Sequence, residues 1–171
     1  MMQSKQQILT ILALGALSIN LMMQSCFSGS GFGDVPEISF VSLSKDTMNQ
    51  GSLLTDSLVL SFSFRDGNGD IGTSADFGRN IILTDSRTGS TLSQFKTPSL
   101  PESGASGGIE GIIRLKLFNE CCVFPAQDSI PPCSVTTRFP SNMFTVDIQI
   151  MDDAGNESNV VTSAPITLLC N

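Results

Sequence analysis

Strict alternation of apolar and polar residues is the feature that most constrains the fold of this chain. In the segment 57–65, every second residue is leucine or phenylalanine, and the residues between them are mostly polar. The segments 113–117 and 144–150 repeat this pattern. Because successive side chains of a β-strand point to opposite faces, each segment predicts a strand with one face in a core and one in water.

Weaker strand candidates share the same period: residues 37–42, 80–84, 91–95 and 159–169. Residues 85–89, Asp-Ser-Arg-Thr-Gly, lie between two of them and predict a hairpin loop. Clusters of Gly, Pro, Asn and Asp separate the segments, and we find no amphipathic helix among them and no internal repeat. The pattern predicts an all-β antiparallel sandwich of about seven strands, immunoglobulin-like or fibronectin-like.

The N-terminal segment has the three parts of a secretion signal. Lys5 supplies a positive charge, residues 8–17 form an apolar run, and the small residue Ser25 precedes Cys26. A membrane-spanning helix needs about 20 largely apolar residues, and polar residues interrupt this run. Residues 21–26, Leu-Met-Met-Gln-Ser-Cys, resemble the lipobox of bacterial lipoproteins, which implies that the cysteine is diacylated and begins the mature chain.

An ordinary cleaved signal and an uncleaved anchor are the alternatives to lipidation of Cys26. Phe27 follows the cysteine, whereas an Asp there commonly signals inner-membrane retention in Gram-negative lipoproteins. The resemblance therefore implies an outer-membrane lipid anchor, on the periplasmic face or at the cell surface. The predicted organisation is a helical signal peptide over 1–25, the lipidated cysteine and a Gly/Ser-rich tether over 26–35, and a β-sandwich domain over 36–171.

Composition excludes several classes of function. Cleavage of the signal removes Lys5, one of 9 basic residues, and none of the 16 acidic ones, so 8 basic residues remain and the net charge is −8. Phosphate backbones repel such a domain, so nucleic acid is not an expected partner. The chain has no His, which rules out a Ser or Cys nucleophile activated by imidazole. We therefore expect a non-enzymatic domain.

Four cysteines remain besides that of the lipobox, and an even number in an exported chain predicts disulfides. Cys121 and Cys122 are adjacent, so on an extended backbone they point to opposite sides. One of them can reach Cys170, while the other closes the loop 123–132 onto Cys133. The alternatives are a strained bridge between the adjacent pair and a zinc site, for which CxxC spacing and His are both missing.

The most suggestive chemical feature is Asp-Gly-Asn-Gly-Asp-Ile-Gly over residues 66–72. Asp66, Asn68 and Asp70 carry side-chain oxygens at alternate positions, which can surround one hard cation while the glycines let the backbone curl. The segment resembles the start of calcium loops of the DxNxD type, but it departs from the EF-hand pattern at two positions. Asp76 is the fourth candidate ligand. A plain turn is the alternative, because Asp, Asn and Gly are preferred turn residues.

A second acidic loop, Asp-Asp-Ala-Gly-Asn-Glu, covers residues 152–157. If it lies at the same end of the sandwich as residues 66–70, the two loops predict one cation site. If the ends differ, both are interpreted as turns.

The order of these motifs resembles a group of Gram-negative bacterial lipoproteins with an immunoglobulin-like domain. The likeness rests on the lipobox and on three segments: Pro-Glu-Ile-Ser-Phe at 36–40, Phe-Arg-Asp-Gly-Asn-Gly-Asp-Ile-Gly at 64–72 and Asp-Asp-Ala-Gly-Asn-Glu-Ser-Asn at 152–159. The resemblance implies fold and location, and no established activity comes with it.

Three hypotheses for function follow. The leading one is a lipid-tethered, non-catalytic sandwich that binds a protein or polymer partner or organises the envelope. The second is a calcium-dependent version of the same binding or adhesion module. The third, a hydrolase using carboxylates such as Asp66 and Asp70, is disfavoured because these residues lie in a turn and not across a cleft.

Overall fold

The computed structural model of the 171-residue chain describes three stretches: residues 31–72, 78–98 and 108–171. The signal predicted over 1–25, Cys26 and Asp76 lie outside the described residues. Within these stretches the chain is all-β, with ten strands and one turn of 3₁₀ helix at Ala126–Asp128. No helix in the described part has the length and apolar character that crossing a membrane requires.

The ten strands range from two to ten residues in length. In chain order they are β1 Glu37–Leu43, β2 Thr47–Asn49, β3 Ser57–Asp66, β4 Ile81–Asp85, β5 Thr91–Phe95, β6 Ile109–Phe118, β7 Ser141–Phe144, β8 Val146–Ile150, β9 Val161–Thr162 and β10 Ile166–Leu169.

Three sheets are formed, with strand orders β1-β3-β6, β2-β10-β7 and β5-β4-β8-β9. Neighbouring strands are antiparallel except β2 and β10, which run parallel. Two packed antiparallel sheets of about seven strands were expected, and this expectation is wrong in strand number, sheet number and the parallel pair. The all-β class is confirmed.

The longest pairing, between β3 and β6, shows why the alternation specifies the fold. Leu60 lies opposite Leu115 and Phe62 opposite Ile113, and all four side chains are buried. Arg114, between the two apolar residues of β6, is exposed. Such cross-strand apolar pairs stabilise a sheet and fix its register, because a slip by one residue would turn every apolar side chain to water.

All three sheets contribute to one apolar core. Phe62 and Leu115 come from the first sheet, Met48 and Leu168 from the second, and Ile148 from the third. A core shared in this way gives the described part a sandwich-like architecture, with loops gathered at the two ends of β3 and β6.

The segment 144–150, predicted as one strand, is two strands in different sheets. Thr145 separates β7 from β8, and its backbone N–H donates to Ser86 Oγ at 2.9 Å. Its carbonyl accepts from the backbone N–H of Ser86, in the β4–β5 turn, at 3.1 Å. Burial alternates through the break without interruption. The period of two therefore could not reveal the change of sheet.

The segment 159–169 is likewise two strands, β9 and β10. Pro165 lies between them. After it, in β10, the backbone N–H of Thr167 donates to the carbonyl of Asp46, just before β2, at 2.8 Å. β2 was not predicted, because three residues with only Met48 buried are too few to show a period. The hairpin loop predicted over 85–89 is confirmed between β4 and β5.

Candidate cation site at the acidic pole

The loop that follows β3 begins with a buried carboxylate. Asp66 is the last residue of β3 and is fully buried. Its Oδ2 accepts a hydrogen bond from the backbone N–H of Asp70 at 3.0 Å, which turns residues 66–70 back on themselves. Gly69 has φ of +72°, a left-handed conformation that glycine adopts without steric strain. The Asp-Gly-Asn-Gly-Asp sequence thus folds into a tight turn around the Asp66 side chain.

The second acidic loop is built in the same way around Asp152. This residue is fully buried, and its Oδ1 accepts from the backbone N–H of Asn156 at 2.7 Å. Its Oδ2 accepts from Asn156 Nδ2 at 2.8 Å. Gly155 has φ of +90° at the tip of the loop. Asp152 is therefore held in one orientation by its own turn.

The two loops lie at the same end of the molecule and touch. The backbone N–H of Asp153 donates to the carbonyl of Asp70 at 3.4 Å. One carboxylate oxygen from each of Asp66, Asp70 and Asp152 lies within 4.8 Å of the other two. We call this end, residues 66–72 and 152–156, the acidic pole. The two loops lie at the same end of the sandwich, which is the condition under which the sequence predicts one shared cation site.

The carboxylates of the acidic pole are poorly compensated. Asp66 Oδ1 and Asp70 Oδ1 are buried and have no hydrogen-bond partner. In the part of the chain that the structure describes, the ion pairs of Lys and Arg involve other carboxylates: Asp56, Glu37, Asp85 and Asp128. Negative charge is thus concentrated in a place from which water is largely excluded.

This environment opposes ionisation. Burial, reinforced by repulsion from Asp70 and Asp152, raises the pKa of Asp66 to about 6. Burial also raises the pKa of Asp70, and repulsion from Asp152 and Asp153 adds to the shift. Both groups are ionised at neutral pH only against an electrostatic penalty, which a bound cation would remove.

The candidate ligands predicted from the sequence separate into three groups. Asp66 and Asp70 lie in the cluster. Asn68 lies in the same turn, and its side chain is exposed. Asp76 is outside the described residues. Asp152 was not among the individual candidates, although its loop was singled out, because no local pattern shows which end of the sandwich a loop will occupy.

The described chain starts against the acidic pole. The carbonyl of Gly33 accepts from the backbone N–H of Gly67 at 2.8 Å, and the Arg65 guanidinium lies over the ring of Phe32 at 5.6 Å. A Cβ on Gly67 would collide with the carbonyl oxygens of Phe32 and Gly33, so only glycine permits this approach. Phe32 and Gly33, near the start of the described residues, are therefore packed onto the candidate cation-binding loop.

The opposite end of β3 and β6 holds the cysteines. Cys121 is bonded to Cys133 with a Cα–Cα distance of 4.5 Å, and Cys122 to Cys170 at 5.9 Å. The predicted disulfides are present, with one of the adjacent cysteines closing its loop and the other reaching the end of the last strand. We call this end, residues 50–57 and 118–134 with Cys170, the disulfide pole.

Two surface grooves run along the β1–β3–β6 sheet. One is lined by Glu37, Ser63 and Arg65, and the other by Lys96, Pro98 and residues of β6. Neither groove is lined by Asp66, Asp70 or Asp152. The clustered carboxylates are thus not accessible from either of these two grooves.

Comparison with known proteins identifies no matching family model, no significantly similar curated protein and no significantly similar solved structure.

Proposed function

We propose that this chain is a non-catalytic, immunoglobulin-like binding module of the bacterial cell envelope, tethered to the outer membrane by a lipid on Cys26. The observation that carries this proposal is the pairing of Cys121, Cys122, Cys133 and Cys170 into two disulfides. Structural disulfides form and persist in oxidising compartments such as the bacterial periplasm and the cell surface. They support export, which is the step that the lipobox resemblance implies.

The distribution of carboxylates supports a binding role over a catalytic one. A hydrolase with two carboxylates needs them on either side of a substrate bond, facing a cleft. Here Asp66 and Asp152 are enclosed by their own loops, and the grooves of the β1–β3–β6 sheet do not reach them.

A lipid on Cys26 would orient the domain. Cys26 lies five residues before Gly31, and five residues of extended chain span at most about 18 Å. Because the chain at Gly33 packs on Gly67, the acidic pole would face the membrane and the disulfide pole would point away. Exposed apolar side chains follow β2 and Cys133 at that far end: Leu53 is 80 % exposed and Val135 73 %. We assign the partner surface to this end.

Metabolic labelling with a palmitate analogue tests the tether. The wild-type chain should be labelled and recovered with the outer membrane, and Cys26→Ala should be unlabelled and soluble in the periplasm. The matched control is the double variant Cys121→Ala/Cys133→Ala, which removes two other cysteines and should keep both the label and the membrane fraction. Continued labelling of Cys26→Ala would contradict the proposal.

Photo-crosslinking in intact cells tests the partner surface. A crosslinking residue at Leu53 or Val135 should capture a defined partner, and one at Val41, which is 47 % exposed on β1, should not. The same partner captured only from Val41 would move the interaction to the β1–β3–β6 sheet.

A further inference from the structure

We propose that Asp66, Asp70 and Asp152 bind one calcium ion, which joins the two loops of the acidic pole. Asp66 and Asp152 belong to loops 86 residues apart in the chain, so the ion would act as a long-range crosslink. The proposal concerns this site alone and does not depend on lipidation of Cys26.

The unpartnered oxygen of Asp66 is the first reason. The residue has no exposed surface, one of its oxygens is bonded within its own turn, and Oδ1 has no hydrogen-bond partner. A buried carboxylate in this state is strongly unfavourable unless it is protonated, paired or bound to a metal. Protonating Asp66 leaves Asp70, whose Oδ1 is also buried without a partner. A single cation compensates both.

The spacing of the three oxygens is the second reason. Calcium binds oxygen at about 2.3–2.6 Å, so two ligands on opposite sides of the ion lie about 4.6–5.2 Å apart. No pair among the oxygens offered by Asp66, Asp70 and Asp152 is separated by more than 4.8 Å. The three oxygens are therefore close enough together to contact one ion.

The donor set selects the class of metal. Only oxygen donors are available, because the chain has no His and the cysteines of the described part are bonded to each other. Zinc and copper favour nitrogen and sulfur ligands, whereas carboxylates suit hard cations.

Calcium suits this position better than magnesium. Magnesium demands near-ideal octahedral geometry at about 2.0–2.1 Å, while calcium accepts six to eight oxygens in a flexible arrangement that carbonyls and water complete. The turns around Asp66 and Asp152 are already set by their own hydrogen bonds, so they cannot adapt freely to a smaller ion. Sites of extracellular modules bind calcium with a Kd of about 10⁻⁴–10⁻³ M, and we expect a value in this range.

Thermal melting of the full-length, oxidised chain tests the proposal, with 10 mM calcium, 10 mM magnesium or a chelator. Calcium should raise Tm by about 4–10 °C over the chelator, the shift that this Kd range implies for a domain of this size. Equilibrium dialysis with radioactive calcium should give one bound ion per chain. No shift and no bound calcium would overturn the proposal, and an equal response to magnesium would overturn the assignment to calcium.

Two variants and a control make the test specific. Asp66→Asn and Asp152→Asn should each abolish calcium binding and the Tm response. In the chelator Asp66→Asn should melt higher than wild type, because it removes a buried negative charge that no cation compensates. The control Asp34→Asn removes an exposed carboxylate from the segment packed on the same pole, and it should bind calcium as wild type does. A normal calcium response in Asp66→Asn would contradict the site.

Discussion

The disulfide pole and the acidic pole hold loops together at opposite ends of the same two strands, β3 and β6. At the disulfide pole, the crosslinks are covalent, and the bridge from Cys122 to Cys170 spans 48 residues. At the acidic pole, the corresponding long-range contact brings carboxylates together. The first arrangement is complete in the protein alone, whereas the second leaves buried negative charge that only a cation or protons can neutralise.

A buried carboxylate next to the disulfide pole, that of Asp85, is compensated by a basic residue. Arg87 forms an ion pair with the buried carboxylate of Asp85, with 2.6 Å between Nη2 and Oδ2. Its Nη1 donates to the Cys121 carbonyl at 3.2 Å and to Asn142 Oδ1 at 2.8 Å, and the guanidinium lies 4.4 Å from the centre of the Phe144 ring. The charge of Asp85 is thus paired, and the Arg87 guanidinium has hydrogen-bond acceptors and an aromatic ring beside it. No described basic residue does this for Asp66.

The largest expected effect is the loss of the long disulfide. Replacing Cys122 and Cys170 by Ala should lower the free energy of unfolding by about 4 kcal/mol, because the bridge closes a long loop in the unfolded chain. Replacing Cys121 and Cys133, which are 12 residues apart, should lower it by about 3 kcal/mol. Guanidinium unfolding measures both. A larger loss for the short loop would show that native contacts, and not loop closure, dominate at this pole.

Loss of the positive charge of Arg87 should lower the free energy of unfolding nearly as much as loss of the long disulfide. Arg87→Met keeps most of the side-chain volume but leaves Asp85 buried without its partner, which should lower the free energy of unfolding by about 3 kcal/mol. The additional change Asp85→Asn should recover part of this loss, because it removes the stranded charge. Urea unfolding of the single and double variants measures both free energies of unfolding. A double variant less stable than Arg87→Met would contradict the expected recovery.

A change at the acidic pole should have the opposite sign. In a chelator at pH 7, Asp66→Asn should raise the free energy of unfolding by about 1–2 kcal/mol, because the wild-type carboxylate is buried next to Asp70 and Asp152. Asp34→Asn, an exposed substitution, should change it by less than about 0.5 kcal/mol. Chemical denaturation at fixed pH measures both. Destabilisation by Asp66→Asn would mean that this carboxylate is compensated in the native state.

The smallest effect is a difference in pH dependence between the poles. The pKa of Asp66 is raised to about 6 in the folded protein, against about 3.9 when unfolded. The folded state therefore binds more protons between pH 4 and 6, and its stability without cation falls as pH rises through this window. The advantage of Asp66→Asn should be absent near pH 4 and fully present by pH 7.

Asp56, at the disulfide pole, should respond in the other direction. A hydrogen bond from Lys45, aided by the backbone N–H of Asn49, lowers the pKa of Asp56 to about 2. Its contribution to stability is present above pH 4 and is lost as pH falls towards 2. Denaturation from pH 2 to pH 7 with Asp56→Asn and Asp66→Asn should show the two windows separately. The same pH dependence in both variants would remove the distinction between the poles.

The elements that could be predicted from the sequence are those with local causes. The alternation in 57–65 and 113–117 corresponds to β3 and β6, because the period of two is a property of each strand itself. The break at Thr145 escaped prediction because the residue pairs with Ser86, far away in the chain, while the burial pattern continues through it. The three-residue β2 is a strand only because β10 lies beside it.

The candidate site likewise has one part that follows from local sequence and one part that follows from tertiary packing. By itself, the sequence determined that Asp66 and Asp70 share a turn and that four cysteines are available for two bridges, because both follow from spacing along the chain. Only the tertiary structure decided that Asp152 joins Asp66 and Asp70, that Cys122 pairs with Cys170, and that Asp66 is fully buried. These outcomes depend on which end of the sandwich each loop occupies. That choice is made by the packing of three sheets around one core, which no local pattern encodes.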